Sequence, residues 1–279
     1  MGAKENTVYI SGASILLSFA TIAINMYLII NFFIKKQSAS LKHFSMLVVK
    51  MGFDTCFALA TIVYLTGVIF QLKGVTNRSD IIYSSGNVIQ SLEAAMSILI
   101  VFVALDRLCA MRKPLHYSRL YSDLIQKAAI AVVAFIFAVC FVTYTVTRPN
   151  NRDQEGYTFT QFVNRLVQSV IHLSTVGVLV FSMLMTAVFL HDFRRFVNKR
   201  HGQSQQMATY SKSVNTANRV VLYLMAVEFI CLVIPNTLEV GLRFFFDIQM
   251  GKFGPVIHPM FVLYITISSI MFLLSIVDG

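Results

Sequence analysis

The sequence predicts an all-α membrane protein, a seven-transmembrane helix bundle with its N-terminus outside and its C-terminus cytoplasmic. Three observations carry this. Hydrophobic residues make up 56% of the 279 and charged residues only 13%, and the mean hydropathy is +0.69, which excludes a soluble globular domain. Seven apolar runs each reach the ~20 residues that a helix needs to cross ~30 Å of hydrocarbon. Lysine and arginine, finally, are unequally divided between the two sets of loops.

The runs are Val8 to Ile34, Phe44 to Leu72, Ile81 to Leu105, Ala128 to Arg148, Leu166 to Leu190, Val220 to Leu242 and Val256 to Val277, one domain over residues 1–279. In lipid, backbone groups must be satisfied within each segment, so every run reads as a helix. The first is too long for the apolar region of a signal peptide and is expected to stay as a span. Asn6 stands where a myristoylation motif wants Ser or Thr, so the Met-Gly start is not taken as one. The tail after the last run is almost absent. Cys56, Cys109, Cys140 and Cys231 all fall in or at the ends of apolar runs, where cysteine behaves as a small hydrophobe and no loop disulfide is expected.

Orientation follows from charge. The loops after the first, third and fifth runs hold fourteen Lys and Arg against eight on the other face, with Lys50 inside the second run. The richer face is therefore cytoplasmic. Asn77-Arg78-Ser79, a glycosylation sequon between the second and third runs, falls outside in that arrangement. The pI near 9.6 reads as topology rather than as a nucleic-acid surface, because the excess charge sits in short loops. The longest loop, His191 to Arg219, is basic and polar with a flexible centre around Gly202.

The third run is the one the rest packs around. It carries no charge from Ala94 to Leu105, then Asp106 and Arg107 stand side by side, followed by Arg112, Lys113 and a helix-ending Pro114. That is a cytoplasmic exit. An arginine held by its neighbouring acid and then released to a partner is a two-state element, while the plainer reading is an ordinary basic boundary.

Acids at membrane depth cost about 2.5–3.5 kcal/mol near the centre on insertion scales, so each needs a reason. Asp54 has Lys50 as an i, i−4 partner. Glu93 lies fourteen residues before Arg107, which returns it to within about 40° of the same face some 21 Å away. It is either a protonated structural acid or a ligand contact. Glu228 is expected to serve packing, and Glu239 to face water with Arg243 at i+4. Pro235 removes a backbone donor and should kink the sixth run. The candidate ligand contacts are Glu93, Gln90, His172, Asn236, Thr237 and His258, with Ser174 nearby. Aromatic residues Phe70, Tyr83, Phe244, Phe245 and Phe246 favour a small, mainly apolar guest.

Asn25, Asp54, Asp106-Arg107, Pro114-Leu115, and Phe229 six residues before Pro235 together resemble the motifs of the rhodopsin-like G-protein-coupled receptors, over essentially the whole chain. The departures are specific: Leu108 replaces a tyrosine, Trp is absent, no Asn-Pro-x-x-Tyr closes the last run, and the fifth run lacks proline. A pattern eroded in this way is similar to the nematode serpentine chemosensory receptors. The stretch from Leu105 to Tyr117 points to the class BC group.

The resemblance implies a chemosensory receptor for a small odorant or pheromone, in which Arg107 engages a heterotrimeric G protein when helix six moves outward. It implies that Leu115 inserts into that partner and that Asp106, Pro114, Arg194, Arg195, Lys212 and Arg219 belong to the coupling surface. The remaining implied partners are the small-molecule ligand and membrane lipid, with a receptor dimer left open. The implied location is the plasma membrane, more finely a sensory cilium. No enzyme activity, cofactor, metal or nucleic acid is expected. Ile89 stands where amine receptors place an acid, so an amine held in the usual way is not expected. A retinal protein fails because the last run has no lysine, and an intramembrane protease because neither paired aspartates nor H-E-x-x-H is present. An ion-coupled transporter using Asp54 and Glu93 is the alternative, against which stands the lack of an internal repeat.

Overall fold

The structure, a computed structural model, describes residues 3–34, 45–75, 79–112, 122–149, 158–200, 223–246 and 257–277. Of residues 3, 4, 79, 111, 193–200, 243–246, 257 and 275–277 it describes the backbone alone. The described residues are helical nearly throughout. In order they form α1 (Ala3–Ile34), α2 (Ser45–Leu72), α3 (Ser79–Arg112), α4 (Ser122–Val146), a 3-10 turn (Phe159–Gln161) and α5 (Arg165–Arg200). Then come α6 (residues 223–246) and α7 (Ile257–Val277). Among the described residues six helices are long and apolar enough to cross a bilayer, and His258–Leu274 of α7 is a shorter apolar helix.

Lipid tails are as apolar as leucine, so close packing and interhelical hydrogen bonds must hold such helices together. α1 meets this with small polar residues at helical spacing. Ser11, Ser14, Ser18, Thr21 and Asn25 form its buried stripe, and α1 packs on α2 and α7. Ser14 and Ser18 donate to carbonyls one turn back, which satisfies each hydroxyl locally and leaves a narrow face for the neighbours. Thr21 then reaches Thr266 of α7 at 2.8 Å, and the Asn25 amide reaches the Met51 carbonyl of α2 at 3.4 Å.

α3 is the axis of the bundle, packed against α2, α4 and α5. Asn87 ties it to α4, donating to the Phe141 carbonyl at 3.2 Å and to the Thr145 hydroxyl at 3.0 Å. The 3-10 turn covers one end. Phe159 is buried against the rings of Tyr83 and Tyr144, and its N–H donates to the Tyr64 hydroxyl at 3.2 Å. At the same end α2 stops at Gly74, whose φ of +71° closes the helix with Val75 N–H on the Phe70 carbonyl and Gly74 N–H on that of Gln71.

Several helices outrun the apolar runs that predicted them. α3 continues through Arg112 instead of stopping at Leu105, α4 begins at Ser122 rather than Ala128, α1 begins at Ala3, and α5 extends to Arg200. Hydropathy marks the hydrocarbon crossing, whereas the hydrogen-bond ladder continues through polar residues beyond it. Asp106 and Arg107 therefore precede the end of α3 by more than a turn, and both are buried. In α6 the accommodation of Pro235 takes the form of a π turn, Phe229–Val233, where the Ile234 N–H bonds to the Phe229 carbonyl. The register shift lies immediately before the residue that has no donor.

Candidate functional site

Glu93 sits in the middle of α3 and is buried at 6% exposure. Gln90, one turn earlier on the same face, donates from Nε2 to Glu93 Oε2 at 3.2 Å. The carboxyl group is also within electrostatic reach of Glu239 on α6 and of Tyr144 on α4. Glu239 in turn faces His172 of α5, with Nε2 to Oε2 at 3.5 Å. Glu239 is expected to face water with Arg243 at i+4, and its side chain is 22% exposed. The Arg243 side chain lies outside the described residues, and a histidine on another helix is the partner that is seen. Asn236, one turn before Glu239, is buried; its amide donates to the Leu232 carbonyl at 2.7 Å, and its Oδ1 has no hydrogen-bond partner. Gln90 and Glu93 thus pair within α3, and His172 and Glu239 pair between α5 and α6.

The other expected contacts go elsewhere. Thr237 is exposed on the outer face of α6, as is Ser174 on α5, because each stands about a quarter turn round from its buried neighbour. Phe70 is 46% exposed and points away from the interior. His258 is buried among Phe57 and Tyr64 of α2, its ring centroid 5.5 and 6.0 Å from theirs, and neither ring nitrogen has a hydrogen-bond partner. Tyr83 donates to the Tyr144 carbonyl at 2.7 Å and carries the Arg148 guanidinium 4.2 Å above its ring, so it closes the bundle rather than lining a cavity. The side chains of Phe244, Phe245 and Phe246 lie outside the described residues.

Deeper in the bundle a second set of charges is fully internal. Lys50 Nζ donates to Asp54 Oδ2 at 2.6 Å and to the Ser268 hydroxyl of α7 at 3.2 Å, and it stands 4.9 Å over the Tyr264 ring. Glu228, at the start of the π turn, accepts from the Ser182 hydroxyl of α5 at 3.1 Å and lies within electrostatic reach of Lys50. A lysine expected only as a partner within its own helix therefore links α2 and α7. Buried charges are tolerated when paired in this way.

At the far end of α3, Asp106 Oδ2 and Arg107 Nη2 are 3.4 Å apart, with both side chains enclosed. Leu108, one residue on, packs against Phe189 of α5. One turn beyond, Arg112 donates to Asp192 Oδ2 of α5 from Nε at 2.8 Å and from Nη2, a charge-assisted pair that ties the end of α3 to α5. That pairing is not legible from spacing, since the residues are eighty positions apart. Arg194 and Arg195 lie on the helical backbone of α5 with their side chains outside the described residues. Asn77, Pro114, Leu115, Lys212 and Arg219 fall outside the described residues altogether.

An all-helical bundle of membrane-crossing length, with paired charges inside and aromatic residues closing one end, defines a polytopic membrane protein. The family model for the serpentine type 7TM GPCR chemoreceptor Srbc matches residues 4–277, and the chain belongs to that family. It is a chemosensory receptor, a multi-pass protein of the plasma membrane, and the family is not one of enzymes. No curated protein matches the chain.

Proposed function

We propose that this receptor binds a small, mainly apolar ligand between α3, α5 and α6 and passes the signal to a heterotrimeric G protein through Arg107. The observation that carries the coupling is the enclosed Asp106–Arg107 pair at the end of the central helix. An arginine held by an adjacent acid in the resting bundle can be released to a partner when α5 and α6 part from α3. For that, the Arg107 end of α3 must face the cytosol, with the N-terminus outside, as the basic loops favour. The seven helices then act as one unit over residues 1–279.

Coupling is tested by Arg107→Ala in membranes reconstituted with G protein. Nucleotide exchange should be abolished while ligand binding persists, and undiminished exchange would remove the assigned role. The pocket is tested by Glu93→Gln at equal surface expression, where an unchanged ligand response would take Glu93 out of the site. The π turn beside Pro235 supplies a place for α6 to bend, because its hydrogen bonds are already displaced from the α ladder.

A further inference from the structure

Of the five buried threonines among the described residues, Thr21, Thr175, Thr186 and Thr266 donate their hydroxyls to the carbonyl one turn back, the usual way a helix satisfies that group locally. Thr61 of α2 does not. It is fully buried, and its Oγ1 has no hydrogen-bond partner. His258 of α7 is in the same state: 7% exposed, with neither Nδ1 nor Nε2 partnered. Ring contacts put the two residues at one level. The His258 ring stands 5.5 Å from that of Phe57 and 6.0 Å from that of Tyr64, residues two turns apart on one face of α2. A ring that touches both lies between them, beside Thr61, which is one turn from each on that face. Phe261 closes the α7 side, its ring 4.6 Å from that of Phe57. The Tyr64 hydroxyl, held by the Phe159 N–H, closes the end covered by the 3-10 turn.

Buried polar atoms without partners are costly, and these two side chains, on different helices, lack the same thing. An uncharged imidazole has one N–H donor and one lone pair, and a threonine hydroxyl both donates and accepts. A guest that gives one hydrogen bond and takes another satisfies both. Neither residues 57–64 nor residues 257–268 include an Asp, Glu, Lys or Arg, so a carboxylate or an ammonium would enter without a counterion on these stretches. We propose that the α2–α7 interface beneath the 3-10 turn is a further ligand site, which takes the hydroxyl group of a small alcohol with a mainly apolar body. The hydroxyl bonds His258 and Thr61, and the body packs on Phe57, Tyr64 and Phe261. This site is built on other helices than the α3–α5–α6 region and does not rest on that reading.

The test uses the purified full-length receptor in lipid nanodiscs, titrated with medium-chain primary alcohols and phenylalkanols against the methyl ethers and the amines of the same carbon skeletons, read as ligand-induced thermal stabilisation. Alcohols should stabilise the wild-type chain more than either comparison. Thr61→Val and His258→Phe each remove one polar group while keeping much of the shape, and each should weaken alcohol binding about 2- to 10-fold. The double variant, in the same bilayer, separates a site from partitioning of alcohol into the lipid. Without ligand, Thr61→Val should melt no lower than the wild-type chain, because the hydroxyl has no internal partner to lose. Should His258→Phe not fold, Thr61→Val carries the comparison alone. A lower melting temperature for unliganded Thr61→Val would reveal an existing partner, ordered water included, and overturn the assignment. So would equal stabilisation by ethers or amines, no stabilisation by any alcohol, or alcohol stabilisation unchanged in the double variant. No G protein enters the readout, so a failure of coupling through Arg107 leaves this result standing.

Discussion

Phe159, in the segment between α4 and α5, lies so close to Gly86 of α3 that a Cβ built on Gly86 would meet the Phe159 Cβ at 2.6 Å. Only a residue without a side chain lets the turn settle this far onto the central helix. Among the described residues no cysteine forms a disulfide, so aromatic packing and the Tyr64 hydrogen bond, not a covalent tether, hold this cover in place.

Gly86→Ala should therefore push Phe159 off α3 even though alanine favours the helix itself. Overpacking of this kind costs about 1–3 kcal/mol. A lowered melting temperature in nanodiscs is the expected result, and Gly86→Ala combined with Phe159→Ala should recover part of it. An unchanged melting temperature for Gly86→Ala would contradict the close approach.

Lys50 and Asp54 are both enclosed, at 5% and 1% side-chain exposure. Lys50→Met leaves Asp54 buried without its cation and is expected to lose about 3–5 kcal/mol. The double variant Lys50→Met with Asp54→Leu should regain most of that, since it is the orphaned charge that is costly. Thermal unfolding of the three proteins measures the coupling directly; a double variant no more stable than Lys50→Met would argue against the pair.

Tyr83 is placed between a buried acceptor, the Tyr144 carbonyl, and an ion pair in which Arg148 Nη2 meets Asp80 Oδ1 at 2.7 Å. Tyr83→Phe keeps the ring beneath Arg148 but removes the donor, for an expected loss of about 0.5–1.5 kcal/mol. Tyr83→Leu, which also removes the aromatic face, should cost more. The order of the two melting temperatures is the check.

Orientation has its own experiment. Asn77 is expected outside, so expression in a glycosylating host should give a glycan-dependent gel shift that Asn77→Gln abolishes. A wild-type chain with no glycan, together with cytosolic accessibility of a tag at the N-terminus, would reverse the proposed orientation and with it the exposure of Arg107 to a G protein.

The spans were readable because lipid imposes one rule on every segment: about twenty apolar residues in a helix with its backbone satisfied internally. Runs such as Phe44 to Leu72 accordingly match α2 almost residue for residue. Ends were less legible. At Arg112 and Ser122 the helix continues on hydrogen bonds that hydropathy does not register. The interior was legible only where partners share a helix, as Lys50 and Asp54 do at i, i+4.

Composition and order along the chain determined that this protein is a bundle of membrane helices, which of them carry charge, and that the apolar run of α3 is followed by an acid beside an arginine. Tertiary structure alone decided which helices meet. It set Glu239 against His172, joined Arg112 to Asp192, and turned Thr237 outward. The reason is physical: a pattern of period 3.6 fixes which residues share a face of one helix, but the face it meets depends on how several helices pack at once, and no single segment contains that information.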